Sequence, residues 1–312
     1  MSILSVHQLS KSFKKGKVPA VNGVDFAVEK GEIYGLIGPD GAGKTTLLRL
    51  LAALLLPDAG SATVCGYDVA KQANNVHRVM GYMPGKFALY ADLTIEENLQ
   101  FFAALYHTGV EKNYAWISDI YRLLAPFKDR KAGKLSGGMK QKLALCCCLI
   151  HTPQILLLDE PTTGVDPVSR KEFWETLTRL QRSGLTVLVS TPYMDEALQC
   201  DRIALMQNGR FLQVDTPQHI IESYEGTLWA VRTDRMHSLL TDLRACAGVC
   251  SAFSFGENVH VSVDRAARDA DMYRYLEERG HRDIWIAPIS ATIEDCFMKL
   301  MQQDERISNH SR

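Results

Sequence analysis

Long apolar runs are missing from this sequence of 312 residues, and none approaches the ~18 that a membrane-spanning helix requires. The start, Met1-Ser-Ile-Leu-Ser-Val-His7, lacks the basic stretch, apolar core and small-residue cleavage site of a secretory leader. The expectation is a chain that stays in the cytosol. Excess charge is missing too, since 35 lysines and arginines stand against 36 aspartates and glutamates. Without an overall basic field to collect phosphates, DNA or RNA is disfavoured as the main partner. The eight cysteines contain no paired CxxC set, which argues against the common zinc patterns; they read as reduced thiols, mostly small core residues. With 46% hydrophobic and 23% charged residues the chain is globular in composition, and its length suits a large core and two domains.

What is present centres on Gly38, Pro39, Asp40, Gly41, Ala42, Gly43, Lys44, Thr45 and Thr46. Gly38, Gly43, Lys44 and Thr45 fit GxxxxGK[ST], a phosphate-binding loop. Its flanks are right: Ile33 to Ile37 is an apolar run suited to a buried strand, and Thr45 to Leu56 is a leucine-rich helix candidate. Glycines let the backbone turn its N–H groups onto a phosphate, and the helix N-terminus adds positive partial charge. Lys44 can reach the β and γ phosphates of a nucleotide, and the Thr45 hydroxyl can hold Mg²⁺.

Around this loop the chain alternates elements. Ile3 to Val6 and Val24 to Val28, separated by turn-rich stretches such as Lys14-Lys-Gly-Lys17, predict antiparallel strands. Phe13 among them is either a core aromatic or one that stacks on adenine. Pro57 to Gly60 reads as a turn, and Ala62 to Cys65 and Val79 to Met83 as strands. Thr94-Ile-Glu-Glu97 is a capping box opening a helix, with a second amphipathic helix over Trp116 to Leu124. Ser136 is a natural N-cap for a third helix running through Cys146, Cys147 and Cys148 to Ile150. Gly137 and Gly138 there either face an anion or simply start a helix.

Ile155 to Leu158 predicts a buried strand ending in Asp159 and Glu160, at the sheet edge where open α/β folds bind ligands. Phosphoryl transfer needs a metal ligand and an oriented water more than covalent chemistry, so Asp159 suits the metal and Glu160 the polarising base. Asp166 caps a helix from Pro167 to Arg182, and Thr186 to Ser190 and Arg202 to Met206 are further strands. From about Gln213 to Tyr224 the pattern changes, and the rest alternates as a small α+β domain with a polar tail.

In that order, the phosphate loop, Leu135-Ser-Gly-Gly-Met-Lys-Gln141, Ile155-Leu-Leu-Leu-Asp-Glu-Pro161 and Gly164-Val-Asp-Pro167 resemble the ATPase subunits of ABC transporters, over about residues 3 to 215. Ser190-Thr-Pro-Tyr-Met-Asp-Glu-Ala197 and Pro288 to Phe297 resemble the ABC-2 type exporters in particular. The resemblance implies an α/β fold, a P-loop NTPase with an antiparallel β subdomain. That domain would span residues 1–222, with a helical insert at about 91–150, followed by an α+β domain at 223–303 and a tail at 304–312. It implies Mg²⁺ and ATP, with Phe13 stacking on adenine, the loop 38–46 on phosphate, Thr45 and Asp159 on the metal, and Glu160 as general base. Ser136, Gly137, Gly138 and Gln141 would complete the ATP site of a second ABC ATPase domain, Asp166 would lie in the dimer loop, and the insert would dock on an integral membrane permease subunit. The chain would then be peripheral on the inner face of the cytoplasmic membrane.

Two positions depart from the family. Its glutamine, expected after Pro84, is Gly85, and its switch histidine, expected after Thr191, is Pro192. Neither side chain can donate or accept a hydrogen bond, and proline has no N–H. The expectation is therefore an exporter ATPase whose own site is impaired, paired in a heterodimer with a competent partner. A nucleotide-binding regulatory or assembly subunit is the alternative. A soluble ribosome- or DNA-acting ATPase fits worst, because one phosphate loop and no sustained heptads are present.

Overall fold

The computed structural model describes residues 2–14, 18–86, 88–264 and 266–310, with side chains through Asp304. Lys15, Gly16 and Lys17, expected in a turn, lie outside the described residues, as do the last two of the tail. The chain forms two compact units, Met1–Pro217 and Gln218–Arg312.

The first unit opens with β1 (Ser2–Phe13), β2 (Val18–Glu29), β3 (Ile33–Ile37) and α1 (Lys44–Leu51). It continues through β4 (Ala59–Val64), β5 (Tyr67–Asp68), α2 (Ala73–Val79) and β6 (Met80–Met83). A helical stretch follows, α3 (Ile95–Leu105), α4 (Tyr114–Leu124) and α5 (Gly137–Leu149), and then β7 (Ile155–Asp159), α6 (Pro167–Arg182), β8 (Thr186–Thr191), β9 (Arg202–Gln207) and β10 (Arg210–Asp215). Two sheets result. One has the order β2-β1-β4-β5; the other, β10-β9-β3-β8-β7-β6, is parallel except for the β9–β10 pair. Strands β3, β7 and β8 are buried along their whole length, as expected of a parallel sheet covered on both faces. This is an α/β architecture with an antiparallel β subdomain, and its C-terminal strand ends gather Ile37, Asp159 and Thr191 side by side.

Local chemistry accounts for several helix ends. Thr94 and Glu97 form the capping box of α3, and Ser136 and Asp166 accept the N–H groups of Met139 and Ser169 at the starts of α5 and α6. Helix α1 is shorter than its leucines suggest. Ala53 takes φ 54, its N–H donates to the Leu50 carbonyl and that of Leu54 to Arg49, a Schellman closure made without glycine. The expected turn at Pro57 to Gly60 is also cut short, because β4 begins at Ala59. Gly60 lies so close to β1 that a Cβ would stand 2.2 Å from the Gln8 carbonyl oxygen.

The second unit begins with α7 (Pro217–Glu222), whose first residue still belongs to the first unit. The division thus precedes the expected residue 222, because buried Ile220 packs with the later part and its carbonyl accepts the Cys296 thiol at 3.4 Å. Then come β11 (Thr227–Arg232), α8 (Met236–Arg244), β12 (Val249–Phe255), β13 (Asn258–Val263), α9 (Asp269–Glu278), β14 (Trp285–Pro288) and α10 (Ile293–His310). The antiparallel order β12-β13-β11-β14 with β-α-β-β-α-β succession is ferredoxin-like. Leu239, Leu243, Met272 and Leu276 of α8 and α9 pack on Val231, Val259 and Val261. The segment expected as a loose tail from residue 304 continues α10 to His310, since no proline or glycine interrupts it.

Candidate functional site

Buried β3 delivers the chain into the glycine loop at Ile37, and α1 leaves it at Lys44 with Gly43 as N-cap. The glycines are there for space as well as for turning. A Cβ on Gly38 would stand 2.2 Å from the Met206 carbonyl oxygen, and one on Gly43, at φ 109, 2.1 Å from that of Ala20. The loop is thereby pressed against β9 and β2, leaving the first N–H groups of α1 without intrahelical acceptors. Lys44 is 3% exposed, and its ammonium donates to the carbonyls of Gly38 at 2.7 Å and Pro39 at 3.0 Å. The same nitrogen is 3.2 Å from Glu160 Oε1.

Two carboxylates close on this loop from β7. Asp159, 3% exposed, accepts the hydroxyls of Thr45 and Ser190 on the same oxygen, each at 2.9 Å. Glu160 follows at φ 48, a left-handed conformation that costs a non-glycine residue roughly 1–2 kcal/mol. Its N–H is held by the Ser190 carbonyl at 3.1 Å and hydroxyl at 3.0 Å. The departing positions sit on the same wall. A Cβ at Gly85 would be 3.0 Å from the Asp159 carbonyl oxygen, and Pro192 directly follows Thr191, whose carbonyl accepts the Gly38 N–H at 3.3 Å.

The structure thus brings together the loop, Lys44, Thr45, Asp159 and Glu160. Phe13, 41% exposed, ends β1 opposite Val18 of the strand whose Ala20 abuts Gly43. Ser136, Gly137 and Gly138 have different neighbours: a Cβ on Gly138 would meet Ser169 Oγ at 2.6 Å, and one on Gly137 the Gly164 carbonyl at 3.5 Å. The start of α5 is therefore fitted to the loop that ends in exposed Asp166. Gln141, one turn along α5, lines an apolar pocket with Tyr82, Met83 and Pro84. Cys146 and Cys147 are buried, and burial pushes the Cys148 thiol up to about 12, so these thiols stay neutral. Sequence reasoning gave no role to Ser190, although a hydroxyl ending the apolar run Val187-Leu-Val189 at a ligand-binding strand edge was a usable signal.

The sequence pattern of the family described as ABC transporter matches residues 21–163. Among relatives, "Probable multidrug ABC transporter ATP-binding protein YbhF" of Escherichia coli is 40% identical over 304 residues, 96% of this chain and 52% of that one. This chain thus spans about half of that relative's length. "Daunorubicin resistance ATP-binding protein DrrA2" of Streptomyces coeruleorubidus is 36% identical, with 91% of each chain covered. "Nod factor export ATP-binding protein I" of Burkholderia orbicola is 38% identical, covering 72% of this chain and 75% of that one. A solved ATP-binding subunit of an ABC transporter superposes with TM-score 0.64 at 28% identity, over 71% of this chain and 92% of its own. The family pattern, the superposition and a relative matched over 91% of both chains lead to one conclusion: this chain belongs to the ATP-binding proteins of ABC transporters, among relatives of the ABC-2 exporter type.

Proposed function

We propose that this chain binds and hydrolyses Mg·ATP as the motor subunit of an ABC-2 type export system. The observation that carries the reading is the convergence of Lys44, Thr45, Asp159 and Glu160 around one glycine loop, with Thr45 Oγ1 2.9 Å from Asp159 and Lys44 3.2 Å from Glu160. These residues fit a nucleotide and its metal. The glycine cradle admits no Cβ at Gly38 or Gly43, the α1 N-terminus presents N–H groups to phosphate, and Thr45 and Asp159 offer two hard oxygens side by side. Mg²⁺, when bound, would neutralise charge on the β and γ phosphates. Lys44 would turn from its loop carbonyls to a phosphate oxygen, Ser190 would keep Asp159 aimed, and Glu160 would hold the proton of the attacking water. Phe13 would stack on the adenine, and Ser136, Gly137, Gly138 and Gln141 would face the γ-phosphate of ATP on a second ATPase domain, with Asp166 in the loop between the two.

The relatives' names speak of multidrug transport, Nod factor export and daunorubicin resistance, which supports export as the task. Among the described residues no helix is long and apolar enough to cross a membrane. In this reading membrane permease subunits supply the pathway and hold the chain at the inner face of the cytoplasmic membrane. Gly85 beside Asp159 and Pro192 after Thr191 favour a second element of the reading. The site on this chain is slow, about 10² to 10³ below a site with every donor in place, and the working unit is a heterodimer with a competent ATPase. A regulatory subunit with little turnover is the limiting case. Nucleotide titration tests the core of the proposal: Lys44→Ala should lower Mg·ATP affinity at least about 100-fold, and equal affinities in variant and wild type would overturn it.

A further inference from the structure

We propose that Glu196 is a positioning residue that mechanically couples the phosphate loop to the loop leading to Asp166, and through it to the start of α5. The proposal rests on the reading of residues 38–46 as a nucleotide site. Glu196 lies in the short 3₁₀ helix Met194–Gln199 and is 3% exposed. Burying a carboxylate to that degree is strongly unfavourable unless its oxygens are filled. Here they are filled from three separate elements. Oε2 accepts the hydroxyls of Thr191 at 2.6 Å and Thr162 at 3.0 Å, and Oε1 accepts Arg170 Nε at 3.2 Å.

Each donor belongs to a segment with its own place in the site. Thr191 ends β8, and its carbonyl accepts the N–H of Gly38, the first residue of the phosphate loop. Thr162 lies two residues beyond Glu160, on the way to Gly164 and Asp166. Arg170 is in the first turn or so of α6; it also holds Asp195 at 3.1 Å and lies 4.2 Å over the Tyr193 ring. The Tyr193 N–H donates back to Thr191 Oγ1 at 3.1 Å. Residues 191–193 are thus pinned on both sides, and Pro192 between them has neither a polar side chain nor an N–H through which to relay a contact. Movement of Gly38 can pass through Thr191 to Glu196 and on to Thr162 and Arg170. The far end of that path, Gly164 and Ser169, is where Gly137 and Gly138 are seated. In a chain with proline at the switch position, Glu196 supplies the link between its own phosphate loop and the signature offered to a partner.

Hydrogen exchange of the full chain with and without Mg²⁺ and the non-hydrolysable analogue adenylyl imidodiphosphate tests this directly. In wild type, nucleotide should slow exchange over residues 38–46 and also over 162–170, the latter by about fivefold or more. Thr162→Val removes one donor; it should keep the protection of 38–46 and lose that of 162–170, and Thr162→Ser should restore it. Arg170→Lys, which loses the Nε donor but keeps the charge, should give the same split and serves if Thr162→Val fails to fold. Undiminished protection of 162–170 in both Thr162→Val and Arg170→Lys overturns the coupling, as does serine behaving like valine. Wild type with no protection over 38–46 is a different failure, because it removes the nucleotide site on which the coupling rests.

Discussion

Ser190→Ala isolates a residue whose importance comes entirely from its position between two strands. Its hydroxyl donates to Asp159 at 2.9 Å and accepts the Glu160 N–H at 3.0 Å, in a fully buried setting where water cannot easily take its place. The bond to a charged acceptor contributes about 1.5–3 kcal/mol and the neutral one about 0.5–1.5 kcal/mol. Asp159 keeps the Thr45 hydroxyl and Glu160 N–H keeps the Ser190 carbonyl, so neither group is left wholly unpaired. Discounting for those remaining bonds, the loss should be about 2–3 kcal/mol. In a unit the size of Met1–Pro217 each kcal/mol shifts the midpoint by about 2–4 °C, giving about 4–12 °C. Scanning calorimetry of the full chain reads this as a lowered transition for the first unit, with the ferredoxin-like unit unchanged. A midpoint within about 1 °C of wild type would refute the reasoning, because the bridge would then carry no net stabilisation.

Two further outcomes are expected. In the assembled transporter, Ser136→Arg should stop turnover by spoiling the partner's site, whereas Glu160→Gln should leave much of it; equal and complete loss from both would sink the asymmetric heterodimer. The Asp166 carboxylate is held below its ordinary 3.8 by the Ser169 N–H that it accepts at the start of α6. A depressed folded value means stabilisation that is present above about pH 3.8 and lost as pH falls through the folded value. Between about pH 4 and pH 2, wild type should therefore lose more of its urea midpoint than Asp166→Asn, which caps without titrating. Parallel curves for the two proteins would remove Asp166 from the acid response.

The phosphate loop, its strand and the three N-caps were legible in the sequence because each depends on residues within a few positions of one another. Glycine spacing, a short apolar run and a cap that reaches three residues ahead, as Thr94, Ser136 and Asp166 do, are local chemistry. Asp159 and Glu160 were legible for a similar reason, as acids ending an apolar strand. Tertiary structure decided the rest. The strand order sets β8 between β3 and β7, and only that order joins Thr45 to Asp159 across 114 residues and Ser190 to Asp159 across 31. Helix α1 stops at Leu51 through a closure that its leucine periodicity does not announce, and Gly60 is glycine because β1 passes over it. Edge strand β10, with its mixed polar and apolar residues, becomes a strand only by pairing with β9. The succession of helices and strands after residue 223 was readable, but its ferredoxin-like order was not, since antiparallel pairing partners are chosen by which faces bury together. Glu196 is the extreme case: an ordinary acid in the chain, it becomes a buried junction only when Thr162, Arg170 and Thr191 are folded around it.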